Sequence, residues 1–510
     1  MHVLVCHKAK EHFMKLNIYW LFLFFIPFTA NAQNEGDALF NSPDIHNIEF
    51  TFGQPSFWDT LEINYTLDKF TLGDVRINGT LVPDVGIKFK GNSSYNNQSD
   101  KKSFKIDMNE FVSGQEFDSL KRLNLNNGFK DPSFLREKLT LDILKEQGLP
   151  APRCTYANLY INGTRWGLYM LVEEVNKKFL DQRFGEDVGN LFKGDPHGNL
   201  NWQGPADSAY YNDYELKTNE NDNDWSDLVN LIDVINNTPG NNFQSELEQV
   251  LNTETFIKCW ANYVMFVNLD SYLGTGHNYY IYHDSVSDVF EWINWDVNES
   301  FGNFNAGMNI DELKELDIYS MPMGNKPLIA KMLNNNNYKT RFNEYLCYLT
   351  ANVFTSEHLF QKMDSLQSRI ESSVYADTKK FFTNSDFDNS LTQNVAGAIP
   401  ALKPFVTDRN AFVLQTLENL GLVCTTGLKE TATENAIAVI PNPFSESTTV
   451  YLPEGKKKLC LFDLTGREVF SALAGSGSTY VIQKNNIAAG TYLLSVTLEN
   501  KIYSQLIIIN

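Results

Sequence analysis

Two long apolar runs, residues 156–161 and 164–174, meet at Asn162-Gly163, and this junction constrains the fold more sharply than any other stretch of the chain. Asn-Gly is the pair that most readily fills the two left-handed positions of a tight hairpin turn, so the flanking runs are expected to pair as antiparallel strands. Upstream, residues 61–67, 85–90 and 102–108 alternate apolar with polar side chains, the period-two pattern of strands half buried in a sheet. Between these and the hairpin lies a helix with complete signals. Asp131 stands as N-cap, Pro132 occupies the first helical position, Leu135, Leu139 and Ile143 follow at i, i+4 and i+8, and Gly148 is the stop.

Beyond residue 225 the period changes. Leu228, Leu231, Ile232 and Ile235 keep helical spacing, as do Phe256, Trp260, Val264 and Val267, and further helices are expected over 338–351, 358–372 and 408–420. A second hairpin interrupts them, with strands at 278–282 and 289–295 and a polar turn over 284–288. Residues 425–433 read as a small-residue, polar linker, and after them only short strands remain, at 436–440, 448–452, 458–463, 480–482, 491–497 and 502–509. The fold class is therefore α+β over residues 41–424, followed by a small all-β sandwich over 434–510.

Residues 1–32 have another purpose. A basic start at Lys15, an apolar stretch from Ile18 to Phe28 and the small-residue site Ala30-Asn31-Ala32 form a secretory signal peptide, with Met14 a second candidate start. The stretch is too short for a membrane span, and no later segment approaches one. Export places the chain where disulfides persist. Five cysteines follow residue 32, an odd number, so one or two disulfides are open to it and at least one thiol stays unpaired; Cys259 and Cys347 sit in aromatic-rich helical patterns that equally suit buried free thiols.

Composition narrows the function. At 43% apolar and 13% aromatic the 510 residues can bury large cores, which excludes global disorder. A net charge of −20 opposes binding to a phosphate backbone, so nucleic acid is not an expected partner. Standard signatures for P-loop, zinc-protease, nucleophile-elbow and dinucleotide sites are absent. Two polar clusters flanking the second hairpin stand out instead: Asn268-Leu269-Asp270 with His277-Asn278 before it, and Trp295-Asp296-Val297-Asn298-Glu299 with Phe301-Gly302 after it. One hairpin can bring such carboxylates to one cleft as a base and a metal ligand, although aspartates at element ends also serve as caps and turn residues.

The segment Lys88-Phe89-Lys90-Gly91-Asn92-Ser93-Ser94, the pair Lys102/Lys105, the Asn162-Gly163 hairpin through Glu173, Asp270…His277-Asn278 and Trp295-Asp296-x-Asn298-x-x-Phe301-Gly302 together resemble the CotH (spore coat protein H) family of secreted or surface-exposed atypical protein kinases. The resemblance implies a bilobal, protein-kinase-like fold, ATP and Mg²⁺ (or Mn²⁺) as cofactors, and transfer of the γ-phosphate to Ser or Thr of extracellular or surface proteins. Asp270 would be the catalytic aspartate, and Asn278, Asp296 and Asn298 the metal-binding residues. Here the chain departs from the family, which often reads Trp-Asp-x-Asp where this sequence has Asn298. Asn92 and Ser93 would form the turn that approaches the phosphates, with Lys102 and Lys105 as phosphate ligands. These two lysines fall on opposite faces of a strand, so at most one points into the cleft. Arg136 or Glu137 could pair with that lysine, and Glu173 stands where a hinge would meet adenine.

The tail has its own resemblance. Val439-Ile440-Pro441-Asn442-Pro443-Phe444, Leu464-Thr465-Gly466-Arg467 and Ala489-Gly490-Thr491-Tyr492 are similar to the C-terminal sorting domain read by the type IX secretion system of Bacteroidota. That implies a passage through the periplasm and outer membrane to the medium or the cell surface. Two other readings remain open: a catalytically weak or inactive surface protein of the same family serving as adhesin or scaffold, and a carbohydrate-binding protein using Trp202, Trp292 and Trp295.

Overall fold

The computed structural model describes residues 35–424 and, in the tail, 438–452, 457–463, 467–475, 477, 479–484, 487–498 and 501–509. The expected signal peptide and the linker over 425–433 lie outside the described residues. The chain divides into two compact units, one of residues up to 339 with 360–405, the other of 340–359 with the chain from 406 onward.

In the first unit seven strands close a barrel: β1 (His46–Thr51), β2 (Thr71–Ile77), β3 (Thr80–Lys90), β4 (Ser103–Asp107), β5 (Arg122–Asn126), β6 (Cys154–Ile161) and β7 (Thr164–Glu173), in the order β1-β2-β3-β4-β5-β7-β6. All neighbours are antiparallel except the closing pair, in which β1 runs parallel to β6 with Ile48 opposite Leu159. Alternation fills the barrel with Ile48, Phe50, Val75, Ile87, Phe89, Phe104, Ile106, Leu123, Leu125, Leu159 and Leu171, all buried. The Asn162-Gly163 turn forms as expected, with φ of 48° and 75°.

One expected strand is a helix. Residues 61–67 belong to helix Phe57–Thr66, because Phe57, Leu61 and Tyr65 share one helical face toward the barrel, with Phe57 stacked on Phe52 at 4.9 Å and Leu61 fully buried. The helix after β5 also starts later than expected, at Arg136 rather than at Pro132. Its N-cap position is Leu135 rather than Asp131, which instead orders the preceding turn: one carboxylate oxygen accepts from Ser133 and the other from the Arg136 amide at 2.9 Å, so a tight turn occupies 131–135.

The same unit holds a second, four-stranded antiparallel sheet of β8 (Leu191–Gly194), β9 (Tyr214–Leu216), β10 (Tyr279–Asp284) and β11 (Val289–Asn294), ordered β11-β10-β8-β9. Around it lie helices Ser226–Asn237 and Thr253–Phe266, each where helical spacing placed it.

The second unit contains the tail strands. A three-stranded sheet of β12 (Ala438–Ile440), β13 (Ser447–Tyr451) and β16 (Thr479–Gln483) and a four-stranded sheet of β14 (Lys457–Phe462), β15 (Glu468–Ala474), β17 (Gly490–Leu498) and β18 (Lys501–Ile509) share one core. Val450 and Ile482 from the first meet Leu459, Leu494, Val496 and Ile507 from the second, which makes this part the expected sandwich. Cys347 and Cys424 form a disulfide, whereas Cys154, Cys259 and Cys460 are buried and free. Cys347 is thus paired and Cys259 is the buried thiol. Among the described residues no helix is long and apolar enough to cross a membrane.

Candidate functional site

A cavity of about 700 Å³ opens between the outer face of the barrel and one end of the β8–β11 sheet. On the barrel side the period of two decides what enters it. Lys88 pairs with Lys105 across β3 and β4, and Lys105 with Asn124 across β4 and β5, so these residues stand in one row while their neighbours fill the barrel interior. Lys90 and Asn126 form a second row.

Of the lysines that line the cavity, Lys105 and Lys90 have different partners. Lys105 meets Glu174 at 2.5 Å, and Glu174 also accepts from Asn124 at 2.6 Å. Burial works against the Glu174 carboxylate, but Lys105, Asn124 and Lys90 outweigh it and hold the group down at about 2. Lys90 donates to Asn126 at 3.0 Å, and Asn126 donates to both oxygens of Glu137. Glu137 is 2% exposed; burial, reinforced by the charge of Asp296, raises its carboxyl to about 7 against the pull of Asn126 and Lys90.

The opposite wall is built by one hairpin. Tyr279 and Asn294 are partners in the β10–β11 ladder, so Asn278, just before β10, and Trp295-Asp296, just after β11, must emerge at the same end of the sheet. Gly194 also pairs with Tyr279, which brings Asp195 there. Asp270 arrives from the helix Thr253–Phe266, which ends at Val267 in the left-handed region (φ 46°), an outlier for a β-branched residue. The loop then folds back through Gly274, where a Cβ would lie 2.0 Å from the Leu269 carbonyl oxygen. As a result Asn278 donates to the Asp270 carbonyl at 2.8 Å and to its carboxylate at 3.1 Å, while His277 Nε2 lies 3.2 Å from the other oxygen. The gap of eight positions between Asp270 and Asn278 is therefore no obstacle to their meeting. Asn278 and Asp296 both hold positive φ, 60° and 49°, of the kind that gathers at functional sites.

The carboxylates sense one another. Burial raises the Asp296 carboxyl, Lys90 opposes the rise and the Asp270 charge adds to it. Burial lowers the His277 imidazole, but its hydrogen bond to Asp270 and the surrounding carboxylates more than reverse this. Two backbone N–H groups, of Phe301 and Gly302, donate to the Phe266 carbonyl at 2.7 and 3.2 Å, which locks the loop after Asp296 to the helix before Asp270. Arg136 fastens the same loop from the other side, donating to the carbonyls of Ser300 (2.9 Å) and Phe301 (3.2 Å). Arg136 is therefore a brace, and Glu137 is the residue of that helix that faces the lysines.

Of the residues singled out above, Asn92, Ser93, Lys105, Glu137, Asp270, Asn278, Asp296 and Asn298 line this one cavity. Lys102 does not: its ammonium turns behind the 91–97 loop and donates to the carbonyls of Tyr95 and Asn97, each at 2.6 Å. Glu173 does not either. It is buried on the other side of the chain from Glu174, held by Arg153 at 2.5 Å and Arg183 at 2.9 Å, because successive residues of an extended chain face opposite ways. Glu174 is the residue missed, while Lys90 and His277 stood in the quoted segments without a role; for Lys90 the alternation from Lys88 was the available signal. Trp292 and Trp295 are 0% and 7% exposed, which removes them as a platform for sugar rings.

From the hairpin side the cavity is faced by the carboxylates of Asp270 and Asp296 and the amides of Asn278 and Asn298, with Asp195 and the His277 imidazole beside them. Since the Asn278 nitrogen is spent on Asp270, its oxygen is the atom left for a ligand. Among the described residues no three His, Cys, Asp or Glu gather as a metal site. Two carboxylates facing one cavity, completed by amide oxygens, fit a hard divalent cation.

Residues 87–413 match the family model described as CotH kinase protein, and residues 438–510 match the model for the secretion system C-terminal sorting domain. The chain is 27% identical over 301 residues to the inner spore coat protein H of Bacillus subtilis, covering 58% of this chain and 79% of that protein. It is 25% identical over 264 residues to the invasin CotH2 of Rhizopus delemar, covering 46% of this chain and 41% of that one. The tail is thus a secretion sorting domain, the mark of an exported protein.

Proposed function

The chain belongs to the CotH kinase protein family, and from that premise we propose that it is a secreted, metal-dependent atypical protein kinase that moves the γ-phosphate of ATP to serine or threonine hydroxyls of extracellular or surface proteins. The observation that carries the reading is a single cavity with Lys90 and Lys105 on its barrel wall and Asp270, Asn278 and Asp296 on the wall opposite. Phosphoryl transfer demands neutralised charge and alignment more than covalent help, and this arrangement offers both. In this reading the barrel and the β8–β11 sheet with its helices are the two lobes of a kinase-like fold.

The roles follow from the partners. Lys105, fixed by Glu174, and Lys90, fixed through Asn126 by Glu137, meet the phosphate oxygens from the barrel wall. Asp270, oriented by Asn278 and His277, accepts the proton of the attacking hydroxyl. The hydroxyl oxygen bonds to the γ-phosphorus as the bond to the β-phosphate oxygen breaks, and ADP leaves with that electron pair. Asp296, Asn278 and Asn298 are the residues that would hold Mg²⁺ or Mn²⁺, whose charge would offset that of the phosphates. The sorting domain directs the chain to the type IX machinery and out through the periplasm and outer membrane.

A second reading, a catalytically weak surface protein acting as adhesin or scaffold, draws on Asn298, which brings no charge to the metal site, and on the relative named an invasin. Thermal unfolding with ATP and Mg²⁺ separates the two. Ligand at 100 times its Kd adds about 2.7 kcal/mol of stability. The kinase reading expects that shift to need both ATP and metal and to vanish in Asp296→Ala. A wild-type chain indifferent to ATP with Mg²⁺ or Mn²⁺ refutes it.

A further inference from the structure

We propose that Lys102 is a positioning residue that holds the 91–97 loop in the shape its phosphate-facing turn requires; this rests on the nucleotide reading above. The loop joins β3 to β4, and only its first part, residues 91–94, lines the cavity. It opens at Gly91 with φ 86°, where a Cβ would come within 2.2 Å of the Ser94 hydroxyl, and continues as one helical turn in which the Asn96 amide donates to the Asn92 carbonyl at 2.9 Å. A turn this short has little stability of its own.

What holds it is behind it. Lys102 is 8% exposed and its ammonium bonds the carbonyls of Tyr95 and Asn97 while lying 4.9 Å from the centre of the Tyr95 ring. That ring stacks on Tyr65 at 3.5 Å, and the Tyr65 hydroxyl donates to the Gly91 carbonyl at 2.8 Å. The loop is therefore tied at its first residue by Tyr65 and along its second half by Lys102. Carbonyl oxygens, which would repel a phosphate, are gathered onto the ammonium on the side away from the cavity, while Asn92, Ser93 and Ser94 are left facing it. The adjacent Lys101 reaches the opposite way, into the core, where Asp377 receives it with both side chains fully buried. The strand entrance is thereby fixed, and the loop must hang from it in one register.

The test measures ATP and adenosine binding, both with Mg²⁺, and amide hydrogen exchange in the full chain and its variants. Lys102→Met should lose about tenfold in affinity for ATP, equivalent to one lost charge-assisted contact, and less than about twofold for adenosine. Exchange should rise over 91–100 and stay unchanged in helix Arg136–Glu146. Lys102→Arg, which can still reach two carbonyls, should restore both readouts. If the Met variant fails to fold, Lys102→Gln, too short to span both carbonyls, carries the same expectations. Wild-type binding with Lys102→Met unchanged, equal losses for ATP and adenosine, or unaltered exchange over 91–100 overturns the inference while sparing the nucleotide reading. A wild-type chain that binds no ATP refutes that reading and this inference with it.

Discussion

Replacing Asp377 by Asn should destabilise the first unit by about 3–5 kcal/mol, the usual consequence of stripping one partner from a buried ion pair. The Asp377 carboxylate receives the Lys101 ammonium and the Leu168 amide at 3.0 Å on one oxygen and the Lys379 amide at 2.9 Å on the other. Around Lys101 stand the rings of Phe134 and Tyr169 at 4.6 and 5.3 Å, with no second carboxylate paired to it among the described residues. Burial already lowers this lysine from 10.5 to about 8 although Asp377 pulls it upward. A shift of that size corresponds to roughly 3 kcal/mol at neutral pH with the partner still present. The Asn variant keeps an acceptor for Leu168 but turns its NH2 toward the Lys379 amide, so its deficit combines the stranded ammonium with one lost backbone hydrogen bond. The sign of the pH dependence follows. Folding lowers the proton affinity of Lys101, so the unfolded chain holds the extra proton between the folded value and 10.5, and stability rises with pH across that window. Calorimetry of wild type and variant at pH 7 and pH 9.5 is the assay. The deficit should be largest at pH 7 and shrink at pH 9.5, and a Lys101→Met/Asp377→Leu double variant should recover most of it. A deficit below about 1 kcal/mol, or one equal at both pH values, would refute the reasoning.

The other expectations can be checked on the same preparations. Glu137, raised to about 7 chiefly by burial, keeps a proton in the folded chain that the unfolded chain has lost, so stability falls as pH rises from 4.5 to 7. Glu137→Gln should therefore be more stable than wild type by roughly 1–3 kcal/mol at pH 8 and nearly equal at pH 5 in urea unfolding, while losing phosphate transfer. His277 is raised by its bond to Asp270, a contribution present at low pH and lost as pH climbs through the folded value; the stability gap to His277→Gln should close with rising pH. Cys347 and Cys424 are 77 residues apart, and removing their bond with Cys424→Ser should lower the stability of the second unit by about 2–4 kcal/mol, with reductant mimicking the variant.

Local pattern made much of the fold legible. Asn162-Gly163, the turn after His283 and the helices from Ser226 and Thr253 rest on short-range signals that tertiary packing reinforces. Residues 61–67 went astray because alternation of Leu61, Ile63 and Tyr65 imitates a strand, whereas Ile63 is 60% exposed and only the 57/61/65 face is used. Closure of the barrel was beyond reach, since β1 pairs with β6 in parallel, His46 against Ala157, and nothing near His46 announces a partner so distant in sequence. In the site, the Asp270, Asn278 and Asp296 cluster was readable because one hairpin forces both its ends together. The choice between Lys102 and Lys105, and between Glu173 and Glu174, depended on which side of a strand faces the cavity. Period two told that the members of each pair diverge without telling which one enters.

Transfer of phosphate from γ-labelled ATP with Mg²⁺ or Mn²⁺ to proteins of the secreted fraction, compared among wild type, Asp270→Asn and Asp296→Asn, tests the central claim most directly. The account predicts labelled serine or threonine with the wild-type chain and a loss of about a hundredfold or more in each variant, with both variants folded. Label incorporated equally by all three chains, or by none of them, would contradict it.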